Sequence, residues 1–151
     1  EITNGNKILG LAEVTGPGMT IILEDNDKIT SNNILLDPNN ALVHDIDVIR
    51  VVNELKNAGA EAISVNGQRI VTTTAIECDG NVITVNGVKI GTPFVIQAIG
   101  LPEQLNGLNR YGGYLMNLQE NYGIKVTTKK EEEITIPKYS GVIKFEYAES
   151  K

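Results

Sequence analysis

Apolar and polar positions along this chain repeat with two periods, and the switches between them set out a series of short elements. Thr15-Gly16-Pro17-Gly18 predicts a sharp turn, because proline fixes φ and the flanking glycines tolerate tight backbone; it leads into a strand over Met19 to Glu24. Asp25 to Asn40 is rich in Asp, Asn, Ser and Thr with Pro38, the composition of a long surface loop with a short strand at Ile34 to Leu36. Asp45 or Asp47 then caps a helix with Val48, Ile49, Val52 and Leu55 on one face, and Gly59 stops it.

Ala60 to Val65 reads as a strand, and Asn66-Gly67 as a type I′ turn, since both turn positions need positive φ. The β-branched run from Arg69 to Glu77 is expected to continue as a strand, with further hairpin turns at Asp79-Gly80 and Asn86-Gly87 flanking Val82 to Val85. Residues Ile63 to Ile70 and Ile83 to Ile90 echo each other at a spacing of 20. Two copies make no solenoid, and repeated hairpin chemistry accounts for the echo.

Pro93 to Ile99 is almost continuously apolar, as in a central strand buried on both faces. Pro102 suits a first helical position, and Leu105, Leu108, Tyr111, Leu115, Leu118 and Tyr122 form a helical stripe interrupted by Gly112-Gly113, which predicts a kinked or broken helix stopping at Gly123. Ile124 to Thr128 and Glu133 to Ile136 read as two strands joined by a charged turn, Lys129 to Glu132; Ile143, Phe145 and Tyr147 alternate once more. The order gives an α/β (α+β) chain with a split β-α-β, ferredoxin-like core, an inserted hairpin or meander and a C-terminal β extension. Residues 1–18 are expected to be an N-terminal extension and 19–151 one domain.

Composition narrows the partners. A net charge of -6 and a pI near 4.8 argue against nucleic acid, which is held by clustered Lys and Arg, and against direct adhesion to an anionic membrane. With no Trp and 5% aromatic residues, the core rests on Val, Ile and Leu. Cys78 is the sole cysteine, so no intrachain disulfide forms. The sequence contains no apolar run of membrane-spanning length and no signal-peptide pattern. Glu1 stands where Met would begin a complete chain, so the expectation is a soluble fragment of a longer protein whose upstream part holds any targeting segment.

The segments Asn53-Glu54-Leu55, Ala58-Gly59-Ala60-Glu61-Ala62-Ile63 and Asn66-Gly67-Gln68-Arg69-Ile70 resemble, in order, the signature of the bacterial family called domain of unknown function 881. Gly16-Pro17-Gly18, Thr74-Ala75-Ile76, Val85-Asn86-Gly87, Pro93-Phe94-Val95-Ile96 and Ala98-Ile99-Gly100 extend the resemblance over most of residues 16 to 136. It implies a parent, often Gram-positive, with one N-terminal membrane span, a coiled coil and this domain outside the cytoplasm, in some cases near cell-division genes. It supplies no catalytic residues.

Candidate chemistry is sparse. Asn53, Glu61, Asn66, Gln68 and Arg69, with Glu54 nearby, could form a polar pocket for a carboxylate or amide ligand, which the planar arginine fork suits. The structural alternative pairs Arg69 with Glu61 or Glu54 and leaves Asn53 to satisfy backbone groups. Asp25-Asn26-Asp27 starts like a calcium loop but lacks the glycine and glutamate that complete one; Asp37 and Asn39 offer only a looser site, so no metal is expected. His44 leads into the helix and Cys78 sits beside a turn, with no motif joining them, and Gly16-Pro17-Gly18 precedes a strand and is no phosphate loop. No catalytic residue and no cofactor are assigned. The expected function is a non-enzymatic interaction module tethered outside a bacterial membrane, with a protein partner of the envelope or self-association; the alternative is a small polar ligand-binding or sensory domain.

Overall fold

Two antiparallel sheets carry the fold in the computed structural model, which describes residues 10–26, 42–79 and 82–140. The elements are β1 (Val14–Glu24), α1 (Asp45–Asn57), β2 (Ala62–Val65), β3 (Gln68–Arg69), β4 (Ile76–Asp79), β5 (Val82–Val85), β6 (Val88–Ile90), β7 (Phe94–Ile99), α2 (Pro102–Leu105), a 3-10 turn (Asn106–Asn109), α3 (Tyr114–Tyr122) and β8 (Lys125–Ile136). The larger sheet runs β3-β2-β7-β1-β8, the smaller β4-β5-β6. Without β3 and the smaller sheet, the order β8-β1-β7-β2 with helices after β1 and β7 is the expected ferredoxin-like core. The insertion lies between β2 and β7. Ile34 to Leu36, Asp27, Asp37, Asn39, Gly80 and the C-terminal Ile143, Phe145 and Tyr147 fall outside the described residues.

Alternation along the strands decides the core. Met19, Ile21 and Leu23 of β1, Ile63 and Val65 of β2, and Phe94, Ile96 and Ala98 of β7 join one cluster with Val48, Val51, Val52 and Leu55 of α1 and Leu105, Leu108, Leu115 and Leu118 of the second helical region. Burying each large aliphatic chain stabilises by roughly 1.5–3 kcal/mol, against at most about 1 kcal/mol for a surface ion pair, so this layer dominates the fold. Ala62, Ile99, Ile134 and Ile136 form a second, smaller cluster.

The helix stops follow local rules. At the end of α1, Gly59 adopts φ 94, its N–H donates to Lys56 O at 3.1 Å and the Ala60 N–H to Leu55 O at 3.0 Å, a Schellman closure. The second stripe is broken, not merely kinked: Gly112 takes φ 76 and Gly113 is the N-cap of α3.

Four expectations are corrected. Gly16-Pro17-Gly18 is no turn but lies inside β1, between β7 and β8, where the register slips by one residue between Gly16 and Gly18. Proline, lacking an N–H, is tolerated in an interior strand at such a bulge. Gly18 is needed because a Cβ there would lie 1.8 Å from Ala98 O. Next, Arg69 to Glu77 is not one strand: Thr74 Oγ1 accepts the Val71 N–H at 2.8 Å and the Thr74 N–H returns to Val71 O at 3.0 Å, so a hydroxyl competes successfully with the sheet and makes a turn.

Lys129 to Glu132 does not reverse the chain either. It continues β8, which follows β1 from Lys125 opposite Glu24 to Ile136 opposite Val14. At the edge of a sheet the charges reach water without any turn. Finally, the N-cap of α1 is His44, not Asp45 or Asp47, which occupy the first turn.

Candidate functional site

The five residues read from the sequence as a pocket do not share one. Asn53 is exposed on α1 and borders a cavity of about 190 Å³ with Lys56, Val71, Thr72 and Thr74. Glu61 is exposed just past the C-terminal end of that helix and borders a different cavity, of about 300 Å³. Asn66 turns back onto β7: its Oδ1 accepts the Val95 N–H at 2.6 Å and its Nδ2 donates to Pro93 O at 3.3 Å. Gln68 is half-buried opposite Val65.

Arg69 is 3% exposed, and its Nη1 donates to Ala12 O at 2.9 Å and Pro137 O at 3.2 Å. It therefore draws the segment before β1 and the end of β8 together at the edge strand β3. Burial pulls its guanidinium below the ordinary value. Neither Glu61 nor Glu54 is its partner, correcting the pairing expected from sequence. Glu54 Oε1 instead accepts from Arg110 at 2.9 Å, on the turn that precedes α3.

A grouping of titratable side chains beside a cavity lies at the start of α1. His44 is in extended conformation, and its backbone N–H donates to Asp47 Oδ2 at 2.8 Å, one half of a capping box. The other carboxylate oxygen, Oδ1, accepts the Tyr114 hydroxyl at 2.5 Å. Tyr114 opens α3, so the glycine break at 112 and 113 is what sets this phenol over α1. The Arg50 guanidinium stacks on its ring, 5.0 Å from the centroid. Burial, then the Asp47 bond, pushes the phenol well above its usual range.

The cavity against this group measures about 250 Å³ and is lined by Leu42, His44, Ile46, Asp47, Tyr114, Asn117, Leu118, Tyr122 and Ile124. It has room for a small polar molecule. The Asp47 carboxylate is committed to a backbone N–H and a phenol, whereas the His44 imidazole is not bonded to it, Nδ1 lying 3.8 Å from Asp47 Oδ2, so the two do not form an acid–base pair. Cys78 Sγ accepts the Asp45 N–H at 3.2 Å, but burial, the first of several contributions, raises its thiol, and the Asp45 and Asp47 charges raise it further, which opposes a reactive thiolate. Among the described residues no group of three or more His, Cys, Asp or Glu side chains could hold a metal ion.

Sequence reasoning missed Tyr114, because its partner lies 67 residues away and nothing local marks the pair. The available signal was the Gly112-Gly113 interruption, which frees the following residue from the apolar stripe.

The pattern of the family described as "Bacterial protein of unknown function (DUF881)" matches residues 1–149. The UPF0749 protein YlxW of Bacillus subtilis is 38% identical over 127 residues, covering 83% of this chain and 53% of that protein. The UPF0749 protein Rv1823 of Mycobacterium tuberculosis is 29% identical over 133 residues, covering 83% and 43%. This chain thus spans about half the length of the curated relatives it matches. The crystal structure of an uncharacterized conserved protein from Mycobacterium tuberculosis superposes with a TM-score of 0.77 at 24% identity, over 99% of both chains, which shows the shared fold.

Proposed function

This chain belongs to the bacterial DUF881 family, whose function is unknown, and we propose that it is a non-enzymatic interaction module of a longer, membrane-tethered protein, working outside the cytoplasm in a cell-division or envelope assembly. The observation that carries the reading is Tyr111, 92% exposed on a turn that is nevertheless firmly held. The Gly113 N–H donates to Arg110 O at 3.0 Å, and Arg110 is pinned to Glu54. A large amphipathic ring presented on a rigid turn loses little entropy on docking, which is why tyrosine serves as an interface anchor. The commitment of the Asp47 carboxylate to the His44 backbone N–H and the Tyr114 hydroxyl supports the non-enzymatic half. No helix among the described residues is long and apolar enough to cross a membrane.

Two measurements on the full-length parent in intact cells test this. A photo-crosslinking residue at position 111 should capture an envelope protein; capture no greater than at exposed Lys89 sinks the interaction reading. In a parent whose native cysteines are removed, a cysteine introduced at exposed Lys89 (Lys89→Cys) should react with a membrane-impermeant maleimide before lysis. Labelling only after lysis overturns the extracytoplasmic placement.

A second reading, a small polar ligand-binding or sensory domain, draws on the cavity beside Asp47, Tyr114 and Asn117. Asn53 and Glu61 still border cavities of their own, whereas Asn66 and Arg69 are held by structural bonds. A screen of small polar metabolites by thermal shift should then find one whose stabilisation disappears in Asn117→Ala. A screen without such a hit removes this reading.

A further inference from the structure

We propose that the cavity beside Asp47 takes an alkylammonium group, an inference that rests on the second, ligand-binding reading and names its ligand class. The cavity measures about 250 Å³, just below the roughly 300 Å³ at which drug-sized pockets begin, so its occupant is small. Among the described residues that line it none is Lys or Arg, and Asp47 is the one acid. That residue is 8% exposed, and its carboxylate is bonded by uncharged donors, the His44 backbone N–H and the Tyr114 hydroxyl. A buried charge is ordinarily met by a countercharge. Arg50 is exposed and stacks on the Tyr114 ring, and the His44 imidazole carries charge only when protonated.

The lining matches an ammonium head and an aliphatic body. An ammonium has three N–H donors and no acceptor, and the cavity offers three acceptors. The Asp47 carboxylate keeps lone pairs beyond its two bonds, since it has about four acceptor sites. The Tyr114 oxygen has turned its proton toward Asp47 and is left to accept, and Asn117 Oδ1, already bonded by Asn121, has a second lone pair. Leu42, Ile46, Leu118 and Ile124 supply apolar surface for the body of the ligand. The start of α1 by itself carries about half a positive charge and would draw an anion. Asp45 and Asp47, both in its first turn, reverse that sign. A carboxylate or phosphate ligand would meet Asp47 with no lining Lys or Arg to offset the repulsion.

The same head group belongs to a free alkylamine and to a lysine side chain of another protein. The test is isothermal titration calorimetry of the 151-residue chain at about pH 8, where an ordinary imidazole is neutral. The probes are n-hexylamine, n-hexanol and hexanoate, which share a chain and differ in the charge of the head. Hexylamine should bind about ten-fold or more tightly than hexanol, and hexanoate should give no heat. Nα-acetyl-lysine methylamide binding at least as tightly as hexylamine assigns the site to a lysine side chain; weaker binding assigns it to a free amine. Asp47→Asn, with its fold verified by circular dichroism, should weaken hexylamine about ten-fold and spare hexanol. Ile46→Lys, at a position 61% exposed, adds an ammonium of the chain's own at the cavity and should weaken hexylamine similarly while removing no bond of Asp47. Hexanol or hexanoate matching hexylamine, no binding of hexylamine, or hexylamine binding indifferent to Ile46→Lys would overturn the proposal. A metabolite that is not an amine, bound by the wild type and lost in Asn117→Ala, overturns the ammonium alone and leaves the ligand-binding reading standing.

Discussion

The two Asn-Gly hairpins obey the same local instruction and serve the tertiary structure differently. Asn66 and Gly67 take φ 48 and 80, Asn86 and Gly87 φ 55 and 76, so the two turns are near copies. Beyond the turn they diverge. The first hairpin is sewn into the main sheet by three bonds from one residue: the Asn66 N–H donates to Val95 O at 2.8 Å, and its side chain engages Val95 N and Pro93 O. The second hairpin sits in the smaller sheet, where Asn86 Nδ2 reaches Arg69 O at 2.9 Å while Oδ1 is buried with no hydrogen-bond partner among the described residues. Identical turn chemistry therefore contributes a lock in one place and a partly satisfied tether in the other.

The contrast can be tested in steps, beginning where the first hairpin's strand carries the most. Arg69→Met should lower the unfolding free energy by about 3 kcal/mol, from two charge-assisted bonds of roughly 1.5 kcal/mol each, read as a drop in urea midpoint. A loss under about 1 kcal/mol would show that Arg69 does not hold the segments at Ala12 and Pro137 together. Asn66→Gly keeps the backbone conformation but orphans the Val95 N–H, and should cost about 2 kcal/mol.

Gly67→Ala and Gly87→Ala should cost about 1 kcal/mol each, and equally, because a Cβ at either meets nothing within 4 Å and only the positive φ resists it. Unequal losses would mean that the turns differ locally, which breaks the comparison. Asn86→Gly should fall within about 0.5 kcal/mol of wild type, since removing the stranded Oδ1 offsets the lost Nδ2 bond. A cost matching that of Asn66→Gly would erase the distinction.

Tyr114, remote from the turns, provides a control on pH. Its phenol is raised in the folded state, so its stabilising contribution is complete below the unfolded value of 10.0 and is lost as pH rises through the higher folded value. The wild type should lose stability above that unfolded value more steeply than Tyr114→Phe does, as thermal unfolding in a pH series would show. Parallel curves would mean that the bond to Asp47 does not persist in solution.

Much of the fold was legible because its signals are short in range. Gly59 stops α1 and Gly112 breaks the second stripe through backbone sterics that span a few residues, and the apolar run before Gly100 shows that β7 is central because each face must be buried. The candidate pocket was less legible. Asn53, Glu61, Asn66, Gln68 and Arg69 lie close in sequence, yet α1, the β2–β3 turn and the edge strand carry them to different surfaces. The group that does gather around a cavity, His44, Asp47 and Tyr114, spans two helices that only packing brings together. β8 was misread for a related reason: a run of Lys and Glu suits a turn or an edge equally well, and only its place beside β1 selects the edge.

The amino-acid sequence by itself determined both hairpin turns, the main helix and its stop, the aliphatic core set and the ferredoxin-like order of elements, because each depends on φ preferences or on a periodicity within reach of a few residues. Tertiary structure alone decided that Pro17 would sit at a bulge, that Arg69 would clasp Ala12 and Pro137, that Tyr114 would bond Asp47, and that one Asn-Gly turn would be locked and the other only tethered. Those outcomes rest on which surfaces meet after packing, and no local conformational preference encodes them.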